Sequence, residues 1–388
     1  MARWISFGVF LLVAVGIIFG MHYYIWARLV RDMGWEGHTK RIVTWLLLGL
    51  GASIPVAMMT SRLAPPEIAV WWVKPAYLWI GISFLLVLAV GAVDLLKLGY
   101  RGVASFEAGP SLPRRETLAR IGGFMAAALG LGTSAWALRE AAKVTVKRVE
   151  VPLAKLPKEL DGTTIVQLTD VHVGPTIGRE FIEELVEIVN GLNPDVVAIT
   201  GDLVDGSVDA LRRHVAPLAD IRATHGTYFV TGNHEYYSGA TEWCAHLTEL
   251  GVRVLHNEHV AIGRDGHEFH LAGIHDYQAS RFNDGHGADL ARAVAGRDEQ
   301  RALVLLAHQP KAVREAVEHK VDLQLSGHTH GGQLWPFSWL VRLEQPVVAG
   351  LAKFRETLVY VSRGTGYWGP PMRLNAPAEV TEIRLRAV

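Results

Sequence analysis

Thr164-Ile165-Val166-Gln167-Leu168-Thr169-Asp170-Val171-His172 is the stretch that decides the fold. A run suited to a buried strand ends directly on a carboxylate and an imidazole. The same junction recurs down the chain. Residues 195–200 lead into Gly201-Asp202-Leu203-Val204-Asp205, and residues 227–231 into Gly232-Asn233-His234-Glu235. Residues 302–307 lead into His308, and residues 321–326 into Gly327-His328-Thr329-His330. After the first junction, Phe181, Ile182, Leu185, Val186 and Val189 are spaced for one buried helical face. Strands alternating with amphipathic helices predict an α/β fold. Ligands in such sheets bind beyond the carboxyl ends of the strands, so the polar clusters should converge along one edge. Glycines 201, 232 and 327 allow the sharp exits this needs.

The converging groups are Asp170, His172, Asp202, Asn233, His234, His308, His328 and His330. Mixed carboxylate, imidazole and amide donors suit Mn, Fe or Zn better than Mg or Ca alone. They are too many for one ion and enough for two. Paired ions can clamp a phosphoryl group and generate a hydroxide nucleophile from bridging water. Asp202, central in the order of the motifs, is the expected bridge. The chain has no Gly-x-x-x-x-Gly-Lys loop and no Gly-x-Ser-x-Gly elbow. Hydrolysis by metal-bound hydroxide is the chemistry that fits. Net charge is zero, with 38 basic and 38 acidic residues, so nothing in the composition signals nucleic-acid binding.

Asp-x-His, Gly-Asp-x-x-Asp, Gly-Asn-His-Glu, a lone His after a strand and Gly-His-x-His, in that order, resemble the calcineurin-like metallophosphoesterase superfamily over residues 149–388. The resemblance implies a β-sandwich flanked by helices (αββα). It implies one divalent ion held by Asp170, His172, Asp202 and His330, and a second held by Asp202, Asn233, His308 and His328. His234 would contact the phosphate and stabilise charge or protonate the leaving oxygen. Many members continue Gly-Asp-x-x-Asp with Arg, where this chain has Gly206. That puts in doubt any role assigned to that Arg. The stretch Gly327 to Gln333 and the segment Ser362 to Arg373 resemble the membrane-anchored YkuE/YaeI-like branch, whose members are associated with envelope phosphoesters, including lipid-linked nucleotide diphosphates.

Upstream, the composition changes. Crossing a bilayer takes about 20 mostly apolar residues. Residues 5–25, 42–59, 75–96 and 121–138 give about four spans within a membrane domain at 1–140. Arg28, Arg31, Lys40 and Arg41 follow the first span, and Lys97, Arg101, Arg114, Arg115 and Arg120 follow the third. The other loop holds only Arg62 and Lys74, and the N-terminus only Arg3. Positive loops stay inside, which places both termini and the 149–388 domain on the extracytoplasmic side. Pro113-Arg114-Arg115-Glu116-Thr117-Leu118-Ala119 resembles a twin-arginine export signal, with Thr117 where an apolar residue is usual. The single cysteine, Cys244, excludes an internal disulfide.

Four further residues are candidate substrate contacts. His275 and Asp276 follow a strand-like run, and Arg363 and Arg373 could bind phosphate bidentately. Trp335, Phe337 and Trp339 could rim the site for a lipid-like substrate or dip towards the bilayer. The expectation is a membrane-tethered phosphoester hydrolase acting on an envelope or lipid-linked phosphodiester or pyrophosphate. The alternative is a membrane sensor or scaffold that binds its ligand without turnover. Oligomeric state is not legible.

Overall fold

The computed structural model describes residues 2–61, 63–104, 112–264, 266–282 and 285–388. Arg62 lies outside the described residues, as do the side chains of Arg3, Arg101, Arg114 and Arg115. The chain divides into two compact units, Met1–Arg139 with Gly369–Met372, and Glu140–Trp368 with Arg373–Val388.

The first unit is built on α1 (Ala2–Trp26), α2 (Gly37–Thr60), α3 (Pro66–Ala104) and α4 (Leu112–Ala141). Each contains a stretch long and apolar enough to cross a membrane. The chain is an integral membrane protein by this criterion. The third helix is longer than the expected span because Pro75 lies inside it rather than starting it. In an apolar surround neighbouring groups satisfy the backbone that a proline frees, so the helix continues through it. Polar side chains in this bundle meet one another. Trp79 donates to His22 (2.8 Å), and Tyr24 and Arg28 converge on Asp94 at 2.8 and 2.7 Å.

The second unit holds two six-stranded sheets among the described residues. The strands are β1 (Val144–Leu153), β2 (Thr164–Leu168), β3 (Val196–Thr200), β4 (Thr227–Val230), β5 (Val252–Val254) and β6 (Glu258–Arg264). They continue with β7 (His267–Gly273), β8 (Leu303–Leu306), β9 (Leu323–Ser326), β10 (Gly350–Phe354), β11 (Thr357–Val361) and β12 (Ala378–Ala387). One sheet has the order β1-β12-β2-β3-β4-β5 and the other β10-β11-β9-β8-β7-β6. The segment β2-β3-β4-β5 is parallel, as is β7-β8-β9-β11.

Period-two alternation explains how these sheets stack. Ile165, Val196, Ala198 and Val230 face Phe269, Leu271, Val304, Leu306, Leu323 and Leu325 across the sandwich interior. The intervening Val166, Leu168, Val197, Ile199 and Phe229 turn the other way. There they pack on α5 (Arg179–Gly191), α6 (Val208–Val215) and the Trp243 and Leu247 side chains. On the far side, Leu303 and Leu305 pack on Leu290, Ala312 and Ala316. Both faces of each parallel segment are therefore covered, as its nearly continuous apolar strands require. The expected α/β fold, a sandwich flanked by helices, is present. Phe229 is fully buried, and truncating it to Ala would cost about 3–5 kcal/mol.

Candidate metal centre

Five parallel strand ends, β2, β3, β4, β8 and β9, deliver Asp170, Asp202, Asn233, His308 and His328 to one place. The backbone must turn sharply to do so. Asp170, His172, Asp202, His328 and His330 all have left-handed φ, between 50° and 71°. For residues with a Cβ this conformation costs roughly 1–2 kcal/mol each. Fixed hydrogen bonds hold it. Asp170 N donates to Gly201 O (3.0 Å), His172 N to Asp202 O (3.1 Å), and His328 N to the Asp170 carboxylate (2.9 Å). Of glycines 201, 232 and 327, only Gly201 has positive φ, at 85°. Gly232 and Gly327 are needed for a different reason, close approach. A Cβ on either would lie 2.2 Å from Asp202 Oδ1 or 2.1 Å from Asp170 Oδ2.

Two donor sets result. Asp170, His172 and His330 form one, with the two Nε2 atoms 3.0 Å apart and Asp170 Oδ1 3.4 Å from His330 Nε2. Asp202, His308 and His328 form the other, with Asp202 Oδ2 3.1 Å from His308 Nε2 and His328 Nδ1 3.2 Å from the same atom. Asp202 Oδ2 is also 4.0 Å from His172 Nε2, so one carboxylate faces both sets. Asn233 is buried and its Oδ1 has no hydrogen-bond partner among the described residues. A buried carbonyl oxygen left bare is costly unless something binds it. His308 Nδ1 meets Thr200 O at 2.8 Å, which assigns a proton there and turns Nε2 towards Asp202 Oδ2, where a cation would bind. The donor chemistry, the bare amide oxygen and this tautomer all fit divalent ions.

Burial opposes charge on His308, yet Asp202 lifts it well above the usual imidazole range, so a cation bound at Nε2 would displace a proton there. Burial raises the cost of charge on Asp202, but His308 and His234 outweigh it and hold the carboxyl well below its usual range. Burial, then His308, pushes His328 down to about 3. Burial, then His172 and Arg373, lowers His330 as well. His328 and His330 are therefore neutral, lone-pair imidazoles at neutral pH. Burial opposes charge on His234, yet Asp202 and Asp205 lift it to about 9.

Two residues of the quoted motifs take parts that sequence reasoning did not assign. Asp205 hydrogen-bonds His234 Nδ1 very closely, and its other oxygen lies 3.2 Å from His172 Nδ1. It thereby fixes the His234 ring and sets a carboxylate against the His172 ring. Glu235, fully buried, accepts from the backbone N–H groups of Asp202 (2.9 Å), Leu203 (2.8 Å) and Gly232 (2.6 Å). It is the clasp between the Gly-Asp and Gly-Asn-His loops. Their place inside Gly-Asp-x-x-Asp and Gly-Asn-His-Glu was the available signal.

The four candidate substrate contacts have protein partners of their own, three of them beside the centre and His275 apart from it. Arg373 is fully buried and donates to the carbonyls of Gly366, Ala376 and Arg363. Its guanidinium braces a loop behind His330, with Nη2 3.4 Å from His330 Nδ1. Arg363 pairs with Glu379 at 3.0 Å. Asp276 is buried and receives Gln309 Nε2 on both oxygens, at 2.9 and 2.8 Å, which ties it to the neighbour of His308. His275 sits in a separate cluster with His256 and His286. Beside His234, the Tyr237 and Trp368 rings lie 5.2 and 5.7 Å away and wall the opening.

An αββα sandwich with two imidazole–carboxylate sets sharing one aspartate defines a candidate dinuclear metal protein. The family model for calcineurin-like phosphoesterases matches residues 163–332. The chain is 42% identical over 298 residues to a bovine "Transmembrane protein with metallophosphoesterase domain", covering 74% of this chain and 66% of that relative. It is 32% identical to an uncharacterized metallophosphoesterase of Aquifex aeolicus, covering 62% of this chain and 91% of the relative. To the uncharacterized metallophosphoesterase YkuE of Bacillus subtilis it is 29% identical, covering 60% and 82%. This chain belongs to the calcineurin-like phosphoesterase family, on the YkuE-like branch. It spans just under two thirds of the length of the bovine relative.

Proposed function

We propose that the chain is a membrane-anchored phosphoester hydrolase with two divalent ions, Mn, Fe or Zn, bound by Asp170, His172, Asp202 and His330 and by Asp202, Asn233, His308 and His328. The observation that carries this is the Asp202 carboxylate, which faces both donor sets. Ions held there supply Lewis-acid polarisation of the phosphoryl group and a nucleophile from water at neutral pH. The chain's own residues supply the rest. Asp205 accepts the Nδ1 proton of His234 and aims its Nε2 at the centre, 4.0 Å from Asp202 Oδ2. A charged His234 offers that Nε2–H to a phosphate oxygen or to the departing oxygen. Trp368 and Tyr237 shield its ring from water.

The substrate class is an envelope or lipid-linked phosphodiester or pyrophosphate, on the extracytoplasmic side. Loop charges support that side, and Arg114-Arg115 ahead of the fourth helix supports twin-arginine export. Purified chain should hydrolyse a generic aryl phosphodiester in Mn²⁺, and more efficiently a lipid-linked pyrophosphate. No turnover of any phosphoester across Mn, Fe and Zn would refute the enzyme. A reporter fused after Val388 that works only in the cytoplasm would refute the orientation.

A further inference from the structure

Immediately after the last donor loop, the chain makes a short excursion that the centre does not use. Trp335, Phe337, Trp339, Leu340 and Leu343 are 47%, 49%, 61%, 58% and 84% exposed. Large apolar side chains this close together are rarely left in water. The excursion is pinned at both ends. Leu334 is buried and Trp335 N donates to Leu374 O (3.1 Å), while the buried Gln345 accepts from Lys311 N (3.1 Å). Between the pins the backbone satisfies itself. Phe337 N donates to Leu334 O, Trp339 N to Pro336 O, Leu340 N to Phe337 O and Leu343 N to Leu340 O, all at 2.9–3.0 Å. Polar backbone enters an apolar phase at lower cost when it is paired within the protein, as these bonds pair it.

We propose that residues 335–343 are a membrane-docking element that sits in the headgroup zone of the bilayer. Three observations select a lipid surface over other occupants. No charged residue occurs from Gln333 to Val341, and the first to follow is the cation Arg342, complementary to anionic headgroups. Two tryptophans lead the exposed set, and Trp partitions into the membrane–water interface. Only Ala142 and Lys143 separate α4 from β1, so the membrane helices of the same chain tether this domain at a bilayer. The element is also joined to the centre's rim. Gln333 exchanges hydrogen bonds with the Trp368 backbone, at 2.9 and 3.0 Å, and Trp368 stands against His234. Docking would thus hold the mouth of the centre at the lipid–water boundary. The element docks whether or not the centre hydrolyses anything.

The test uses the full chain in nanodiscs of mixed zwitterionic and anionic phospholipid, with Cys244→Ser as background. Spin labels are placed by Trp339→Cys and Leu343→Cys, with Glu184→Cys on α5 as the aqueous reference. Expected is a positive immersion parameter at 339 and 343, with high oxygen and low nickel-chelate accessibility, against a negative one at 184. Labels at 339 and 343 that are as accessible to the nickel chelate as at 184 would overturn the proposal. So would strong dipolar coupling between labels on two chains, which would assign the face to a second copy.

Discussion

The catalytic-type unit contains two histidine clusters of similar density, and they differ in what surrounds the nitrogens. In the first, Asp170 and Asp202 stand among the imidazoles, and His308 Nδ1 meets a carbonyl that turns its Nε2 towards the Asp202 carboxylate. In the second, His256 Nδ1 and His275 Nε2 approach to 3.0 Å, and the His275 and His286 rings stack at 4.3 Å. Among the described residues, no carboxylate joins that group. Gly287 N donates to His275 Nδ1 (3.3 Å). Asn257, whose Oδ1 accepts from His275 N and Asp289 N, turns its amide nitrogen to the same atom. With Nδ1 accepting, the proton of neutral His275 must sit on Nε2, where a metal would have to bind. Proximity of imidazoles is therefore not enough. The atom behind each ring decides whether it can be a ligand.

That contrast can be broken in order of effect. Asp202→Ala removes the shared carboxylate, so both ions should be lost or weakened and turnover should fall about 10³-fold or more. Elemental analysis with an aryl phosphodiester assay reads both. His308→Ala should lose one of the two ions per chain, whereas His275→Gln should keep both, and equal metal contents in the two variants would dissolve the distinction. Asp205→Asn keeps the shape but loosens the His172 and His234 rings, and kcat/KM should drop about 10–100-fold.

The smallest effect is on stability. Burial, then His286 and His256, pushes His275 down to about 4. A base with a depressed folded pKa stabilises the fold fully above its unfolded value, about 6.5, and loses that contribution as pH falls towards 4. The melting temperature of detergent-solubilised chain should fall across that window, and fall less in His275→Gln. Parallel curves for the two proteins would contradict this.

Much of the centre is legible in the sequence because each donor follows a buried strand within a few residues. Strand direction and covering helices then force convergence without any long-range information. Parts that depend on tertiary hydrogen bonds are not legible. Nothing local in Arg373 distinguishes a phosphate clamp from a guanidinium spent on the Gly366, Ala376 and Arg363 carbonyls. Likewise His275 follows β7 as His308 follows β8, and only Gly287 and Asn257, distant in sequence, separate their chemistry. Helix α3 exceeded its expected start because apolar run length marks a span, whereas a helix end depends on its neighbours.

Anomalous scattering from crystals of the Mn-loaded chain tests the central claim most directly. The account predicts two peaks about 3.5–4 Å apart flanking the Asp202 carboxylate, and none at His256, His275 and His286. A single peak at Asp202, or a peak among those three histidines, would contradict it.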